Sequence, residues 1–196
     1  MKQPKIVIFD LNGTLIAENS WRQLNLAMGV TGQEDDLLVQ WAAEGIINDQ
    51  QGQNILAEIY KKRGQPSRQN IEKILFNYTY RPNAKSSVSE HIKAGHMVAL
   101  VTGAMDILAE HVATELGITE WYAANTFVFD ANDRLDRIET AADEVEFKLS
   151  ALAEICQKYK ISQKDCLLID EDKELHQISK GFKKYLSYGS QTKLIA

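Results

Sequence analysis

The sequence predicts an α/β fold: a parallel, doubly wound, Rossmann-like sheet with a small helical domain inserted into it. Three observations predict it. Short, uninterrupted apolar runs rich in β-branched residues recur at Ile6–Phe9, Met97–Val101 and Leu167–Ile169, as suits strands covered on both faces. Each run ends in a polar residue and leads into helix-compatible sequence, so strands alternate with helices. Between the first two runs, from about Asn19 to Tyr80, the periodicity is helical and no strand is evident.

Taken in order, Ile6–Phe9 is the first strand and Asp10 ends it; the run is too short for a signal peptide or a membrane span. The following stretch predicts three or four helices with breaks near Gly32, Gly45 and Gly64-Pro66. Trp21, Leu24, Leu38, Trp41, Ile55, Ile59, Ile71 and Leu75 form its inward faces. Met97–Val101 then leads through Thr102-Gly103 into a helix on which Leu108, Val112 and Leu116 fall four apart, and Gly117 sits where that helix stops. Phe127–Phe129, an Asn132-Asp133 turn, and Leu135 with Ile138 suggest a hairpin. Leu149, Leu152, Cys156 and Tyr159 stripe a helix over Val145–Tyr159, ahead of the last strand. The domain division expected is a core of residues 1–17 and 82–196 and a helical cap of residues 18–81.

The 196 residues suffice for one core plus a satellite. With 44% hydrophobic and 25% charged residues the composition is that of a globular chain. A net charge of −5 gives no electrostatic draw toward nucleic acid or anionic lipid, so neither is expected as a partner. Cys156 and Cys166 lack metal or redox spacing and read as buried free thiols, and His91, His96, His111 and His176 lack the pairing of a zinc site. A cytoplasmic protein is expected.

Open parallel sheets bind ligands beyond the carboxyl ends of their strands. That directs attention to Asp10–Thr14, Thr102-Gly103 and Asp170–Glu174. Asp10, at a strand tip before the Asn12-Gly13 turn, suits a nucleophile or a metal ligand, although the same residues also make an ordinary strand end and turn. Thr102 with the adjacent amides suits a phosphate oxygen, or merely a helix cap. Lys148 is either a solvated helix lysine or a point charge balancing a carboxylate and a phosphate. Asp170, Glu171, Asp172 and Glu174 suit a hard cation, or simply the first turn of a helix.

Their order along the chain is more specific than any one of them. Asp10 in a DxxGT turn, a strand ending in Thr102-Gly103, then Lys148, then a strand ending in acidic residues resembles the four motifs of the haloacid dehalogenase superfamily. The resemblance runs from Lys5 to about Leu175. Ile92–Asn125, Phe127–Ile138 and Lys148 look particularly like the phosphoserine phosphatase branch, which carries a small helical cap after the first motif. The resemblance implies a magnesium-dependent phosphohydrolase acting on a small phosphorylated metabolite. Asp10 would form an aspartyl-phosphate; Asp10, the Asn12 carbonyl, Asp170 and Glu174 would hold Mg2+. Thr102, Gly103 and Lys148 would bind the phosphoryl group, and the cap would close over the site.

The chain departs from the family at several of these positions. Asn12 stands where the family's phosphatases have an acid–base aspartate, and its amide cannot shuttle a proton. Ile169 replaces a glycine before the acidic motif, and Glu174 replaces a second aspartate. The family's substrate-selecting cap glutamate falls at Asn19, beside Glu18, and no arginine stands near Asn54, so Arg22 is the alternative cap cation. Two other readings follow. One is a catalytically silent protein that binds a phosphorylated ligand or a protein partner. The other is dehalogenation, which the Gly13-Thr14 turn and Lys148 disfavour.

Overall fold

The computed structural model describes residues 5–170 apart from Gln65 and Ala142. Strand β1 (Ile6–Phe9) is followed by four helices, α1 (Ser20–Ala27), α2 (Gly32–Ala43), α3 (Asp49–Ile59) and α4 (Arg68–Leu75). The chain then runs through α5 (Ala84–Lys93), β2 (Met97–Met105), α6 (Asp106–Leu116), β3 (Glu120–Phe129), β4 (Leu135–Thr140), α7 (Glu144–Tyr159) and β5 (Cys166–Ile169).

The sheet order is β4-β3-β2-β1-β5. Strand β1 pairs in parallel with both β2 and β5, and β2 with β3, while β4 is antiparallel to β3. The chain winds from β1 to one side through β2 and β3 and returns to β5 on the other. The carboxyl end of β1 is therefore the switch point of the sheet, and Asp10 is the next residue. Alternation along β1 explains the two layers. Val7 and Phe9 pack with α5 and α6, whereas Ile6 and Ile8 pack with Ala151, Leu152 and Ile155 of α7. The doubly wound fold predicted from the apolar runs is what forms.

Helices α1–α4 occupy the predicted insertion. Helices α2 and α3 each start with a reciprocal capping box, Thr31 with Glu34 and Asn48 with Gln51, which satisfies otherwise orphaned first-turn amides. Leu24, Ile71 and Leu75 are fully buried as expected, together with Met28 and Tyr60. Helix α3 runs on into a π-helical turn, Tyr60–Gly64. There a Cβ at Gly64 would come within 2.8 Å of the Met28 backbone, so only glycine allows this approach to the end of α1. Tyr60 donates to Asn25 Oδ1, and Asn25 donates to Asp35 Oδ1 at 2.6 Å, giving the helical layer a buried polar centre.

The chain enters and leaves this layer side by side. Ile16 bridges Tyr80, Ala17 N–H donates to the Thr79 carbonyl at 2.9 Å, and Arg81 N–H donates to the Leu15 carbonyl at 2.9 Å.

Two expectations need correction. Thr102 and Gly103 lie inside β2, which runs on to Met105; helix α6 begins at Asp106, so Thr102 is not its cap. A register shift between Thr102 and Met105 carries the chain beyond the predicted strand end. The hairpin forms around Asn132-Asp133, but β3 starts as early as Glu120, well before Phe127–Phe129. Helix α6 does stop at Gly117, at φ 69°.

Candidate active site

Three charged side chains from three elements meet at the carboxyl end of β1. Asp10 follows β1 and its amide donates to the Ile169 carbonyl of β5 at 2.9 Å. Lys148, in the second turn of α7, reaches back across the sheet. Its Nζ lies 3.4 Å from Asp10 Oδ1, 3.0 Å from Asp170 Oδ2 and 3.1 Å from Glu144 Oε1. Asp10, Lys148 and Asp170 are all buried. Lys148 is thus no solvated helix lysine but the counter-charge of a carboxylate cluster.

Burial pushes the Asp10 carboxyl up to about 7; Lys148 opposes that shift, and the charges of Asp170 and Glu144 add to it. Burial alone would lower the pKa of Lys148, but Asp10, Glu144 and Asp170 outweigh it and hold the ammonium protonated well above the usual lysine range. The cluster therefore contains a firmly charged cation beside a carboxylate that gives up its proton reluctantly.

The floor of the site continues into β2. Thr102 is buried, and its Oγ1 accepts from Ala104 N–H at 3.1 Å. Gly103 is held by its carbonyl, which accepts from Trp21 Nε1 at 3.2 Å and from Asn125 Nδ2 at 2.8 Å. A Cβ at Gly103 would land on the Glu144 carboxylate, so the bare Cα is what lets that side chain lie across the floor. Asn12 lies in the turn after Asp10, and its Oδ1 accepts from Ser20 N–H at 3.2 Å.

These residues open into a cavity of about 830 Å³ between the sheet and the helical layer. Asp10, Asn12, Thr102, Gly103, Lys148 and Asp170 line its floor; Asn19, Trp21, Arg22, Asp35, Asp36 and Leu56 are among the residues of its roof. The sequence-derived candidates are therefore brought together, apart from Glu18 and from Glu171, Asp172 and Glu174, the last three of which lie outside the described residues. Glu18 does not line the cavity: its carboxylate accepts from Thr79 N–H at 2.9 Å and closes the neck of the helical layer. Asn19 caps α1 through Arg22 N–H at 3.0 Å, and Arg22 donates to Asp35 and Asp36 at 2.7 Å each. Sequence reasoning missed Glu144, Asn125, Asp35 and Asp36. For Glu144 a signal existed, since it stands one turn before Lys148 on the same helix face.

Asp10 and Asp170 form the candidate cation pair of the site. Asp10 and Asp170 approach the same Lys148 Nζ from two strands, and Asp170 raises the pKa of Asp10, so the two negative charges already repel. Magnesium is commonly held by one or two carboxylates, with waters and phosphate oxygens completing the shell. Asp10 and Asp170 fit that donor set, although no group of three His, Cys, Asp or Glu residues forms a metal cluster among the described residues.

A catalytic-type carboxylate at the switch point of a parallel sheet, with a buried lysine and a second acid on the neighbouring strand, defines a hydrolase-type α/β site. The chain belongs to the haloacid dehalogenase-like hydrolase family, whose model matches residues 7–163. Among characterised relatives, it is 25% identical over 129 residues to a phosphoserine phosphatase of Methanocaldococcus jannaschii. That match covers 66% of this chain and 59% of the relative, so the chain matches less than two thirds of its relative's length. Among solved structures, a phospho-aspartyl intermediate analogue of phosphoserine phosphatase superposes with a TM-score of 0.75 at 21% identity, covering 95% of this chain and 87% of that one. A HAD family hydrolase from Salmonella enterica serovar Typhi superposes with a TM-score of 0.76 at 16% identity, covering 93% of this chain and 67% of that one. These structures share the fold of this chain.

No helix among the described residues is long and apolar enough to cross a membrane.

Proposed function

We propose that the protein is a phosphomonoesterase that cleaves a small phosphorylated metabolite through Asp10, with Mg2+ as cofactor. The observation that carries this reading is the convergence of Asp10, Lys148 and Asp170 on one point beneath a cavity. Nothing in a strand end, a turn and a helix lysine requires all three to be buried together. Such burial disfavours charge unless a site needs it.

In this reading a carboxylate oxygen of Asp10 attacks phosphorus and the ester oxygen departs with the electron pair of the broken P–O bond. Water then attacks the aspartyl-phosphate, releasing inorganic phosphate and restoring Asp10. Lys148, with Thr102 and the amides around Gly103, neutralises charge on the phosphoryl oxygens throughout. Asp10 and Asp170 would hold magnesium, which when bound supplies a further positive charge against those oxygens. The helices above the floor serve as a cap, residues 18–81, that excludes water and shapes the pocket for the leaving group.

Asn12 sets the rate. An amide gives the departing oxygen no proton and does not activate water, and loss of a general acid–base lowers the rate about 10²–10⁴-fold. The reading is therefore of a slow or specialised phosphatase. A silent binding protein is the second reading, and the same observation favours it. Asn12 Oδ1 is engaged by Ser20 N–H, a purely structural contact.

Hydrolysis of an activated aryl phosphate, with and without magnesium, separates the two. The expected result is magnesium-dependent turnover that Asp10→Ala abolishes and Asn12→Asp raises about 10²-fold or more. Absence of turnover in both the parent and Asn12→Asp would establish the binding reading instead.

A further inference from the structure

We propose that the leaving group accepted by this cavity carries an ammonium and no carboxylate: the substrate class is a phosphomonoester of an amino alcohol. The inference rests on the phosphomonoesterase reading and specifies its substrate.

The charge of the cavity is the first observation. Asp10 and Asp170 face the phosphoryl end. Beyond them, the described residues that line the cavity include four carboxylates, Asp35, Asp36, Asp49 and Glu144, against two cations, Arg22 and Lys148. Lys148 is already engaged by three carboxylates. Arg22 is the one cation of the roof among those residues, and it donates from Nη1 to Asp35 Oδ2 and to Asp36 Oδ1, at 2.7 Å each. Arg22 is thereby flanked by two carboxylates, and with Asp49 the roof carries more negative than positive charge among the described lining residues. A second carboxylate brought in by the substrate would enter a wall on which Asp35, Asp36 and Asp49 outnumber Arg22.

The second observation is independent of charge. Asn125 is 4% exposed and lines the cavity. It commits its amide group to the Gly103 carbonyl, and its Oδ1 has no partner. Gln53, on α3 across the cavity, likewise has a buried Oε1 without a partner. Both orphaned atoms are acceptors covered within lining residues, and an ammonium, with three donors, is the kind of group that would satisfy one of them after a small movement of the amide. Trp21 presents an aromatic side chain to the same cavity, and ring faces attract ammonium groups.

Calorimetric titration of the full-length Asp10→Asn protein with magnesium tests the inference without turnover. Phosphoethanolamine, glycerol phosphate and O-phosphoserine are the ligands, with inorganic phosphate as reference. Glycerol phosphate lacks the ammonium; phosphoserine adds a carboxylate. Phosphoethanolamine is expected to bind about tenfold more tightly than either, because glycerol phosphate lacks the attraction of an ammonium to the acidic roof and phosphoserine adds a like charge. Asp36→Asn removes an exposed carboxylate and one of the two bonds on Arg22. It is expected to narrow the gap between phosphoethanolamine and phosphoserine. Phosphoserine binding as tightly as phosphoethanolamine would overturn the inference, as would glycerol phosphate doing so. If inorganic phosphate binds but the three esters do not differ, the inference falls and the phosphomonoesterase reading stands. If inorganic phosphate with magnesium binds neither this variant nor the parent protein, both fall.

Discussion

Asp10 and Lys148 are each buried and charged in the same cluster, yet their removal is expected to act on stability in opposite directions. The folded pKa of Asp10, about 7, lies above its unfolded value of 3.8, so the folded state holds the proton more tightly. Stability from that proton is fully present below the unfolded value and is lost as pH rises through the folded one. Asp10→Asn removes the penalty. In chelator-treated protein it is expected to raise the melting temperature clearly at about pH 8 and much less at about pH 5. Lys148→Met leaves the buried carboxylates without their cation, an arrangement that costs about 3–5 kcal/mol when a buried pair is broken. Denaturant melts of that variant check the loss. Asn12 raises a separate issue, because an asparagine before glycine deamidates readily. Conversion would place the absent carboxylate at residue 12, so activity is expected to grow in aged samples together with residue 12 appearing as aspartate in peptide mass spectra. At this scale the sequence was informative where motif order constrained it. Asp10, Thr102, Lys148 and Asp170 were all legible because they follow one another in a fixed order along the chain, even though Thr102 lies inside β2 rather than at its end. Asn125 and Asp35 were not, since only folding brings them from a strand middle and a distant helix to one cavity.

Helix α2 shows what an element adds. Its first-turn Glu34 completes the capping box and also pairs with Arg63 of the π-helical turn at 2.8 Å. Arg63 and the Thr31 backbone hold the Glu34 carboxyl down at about 2, against an ordinary 4.5. Stability from this contact is present above the unfolded value and lost as pH falls through the folded one. Glu34→Gln is expected to flatten the part of the acid unfolding curve between those two values, read by circular dichroism. The pair lies at the surface with both side chains partly exposed, so salt is expected to weaken the effect. The capping residues Thr31, Glu34 and Asn48 make these helix starts readable from sequence. The start of β3 was not readable, because Glu120–Asn125 lacks a β-branched run and owes its strand form to pairing with β2.

For the whole molecule, the decisive feature is that one hydrophobic cluster runs from the sheet into the helical layer. Phe9, Leu15 and Met105 belong to it together with Leu24, Leu56 and Ile71. The layer is thus fastened to the sheet by packing as well as by its two-stranded neck at Ile16–Tyr80 and by the Glu18–Thr79 contact. Sequence periodicity revealed that the helices exist and roughly where they begin. It could not reveal this packing, which depends on which faces of Leu24 and Ile71 meet the end of β1. Asn19 and Arg22 of the roof were legible along with most of the floor, while Asp35 and Asp36 of the roof and Glu144 and Asn125 of the floor were not.

The two cysteines give the fold a chemical vulnerability. Cys156 of α7 and Cys166 of β5 are free thiols with their sulfurs 3.6 Å apart. Burial pushes the Cys166 thiol up to about 12, leaving the half-buried Cys156 as the accessible partner. In air or peroxide the pair is expected to lose two electrons and two protons and become cross-linked, tying the helix that carries Lys148 to the strand that leads to Asp170. Non-reducing peptide mapping would show the linked pair. Preparations with different storage histories would then differ in activity for a reason unrelated to substrate or metal, unless a reductant is kept present.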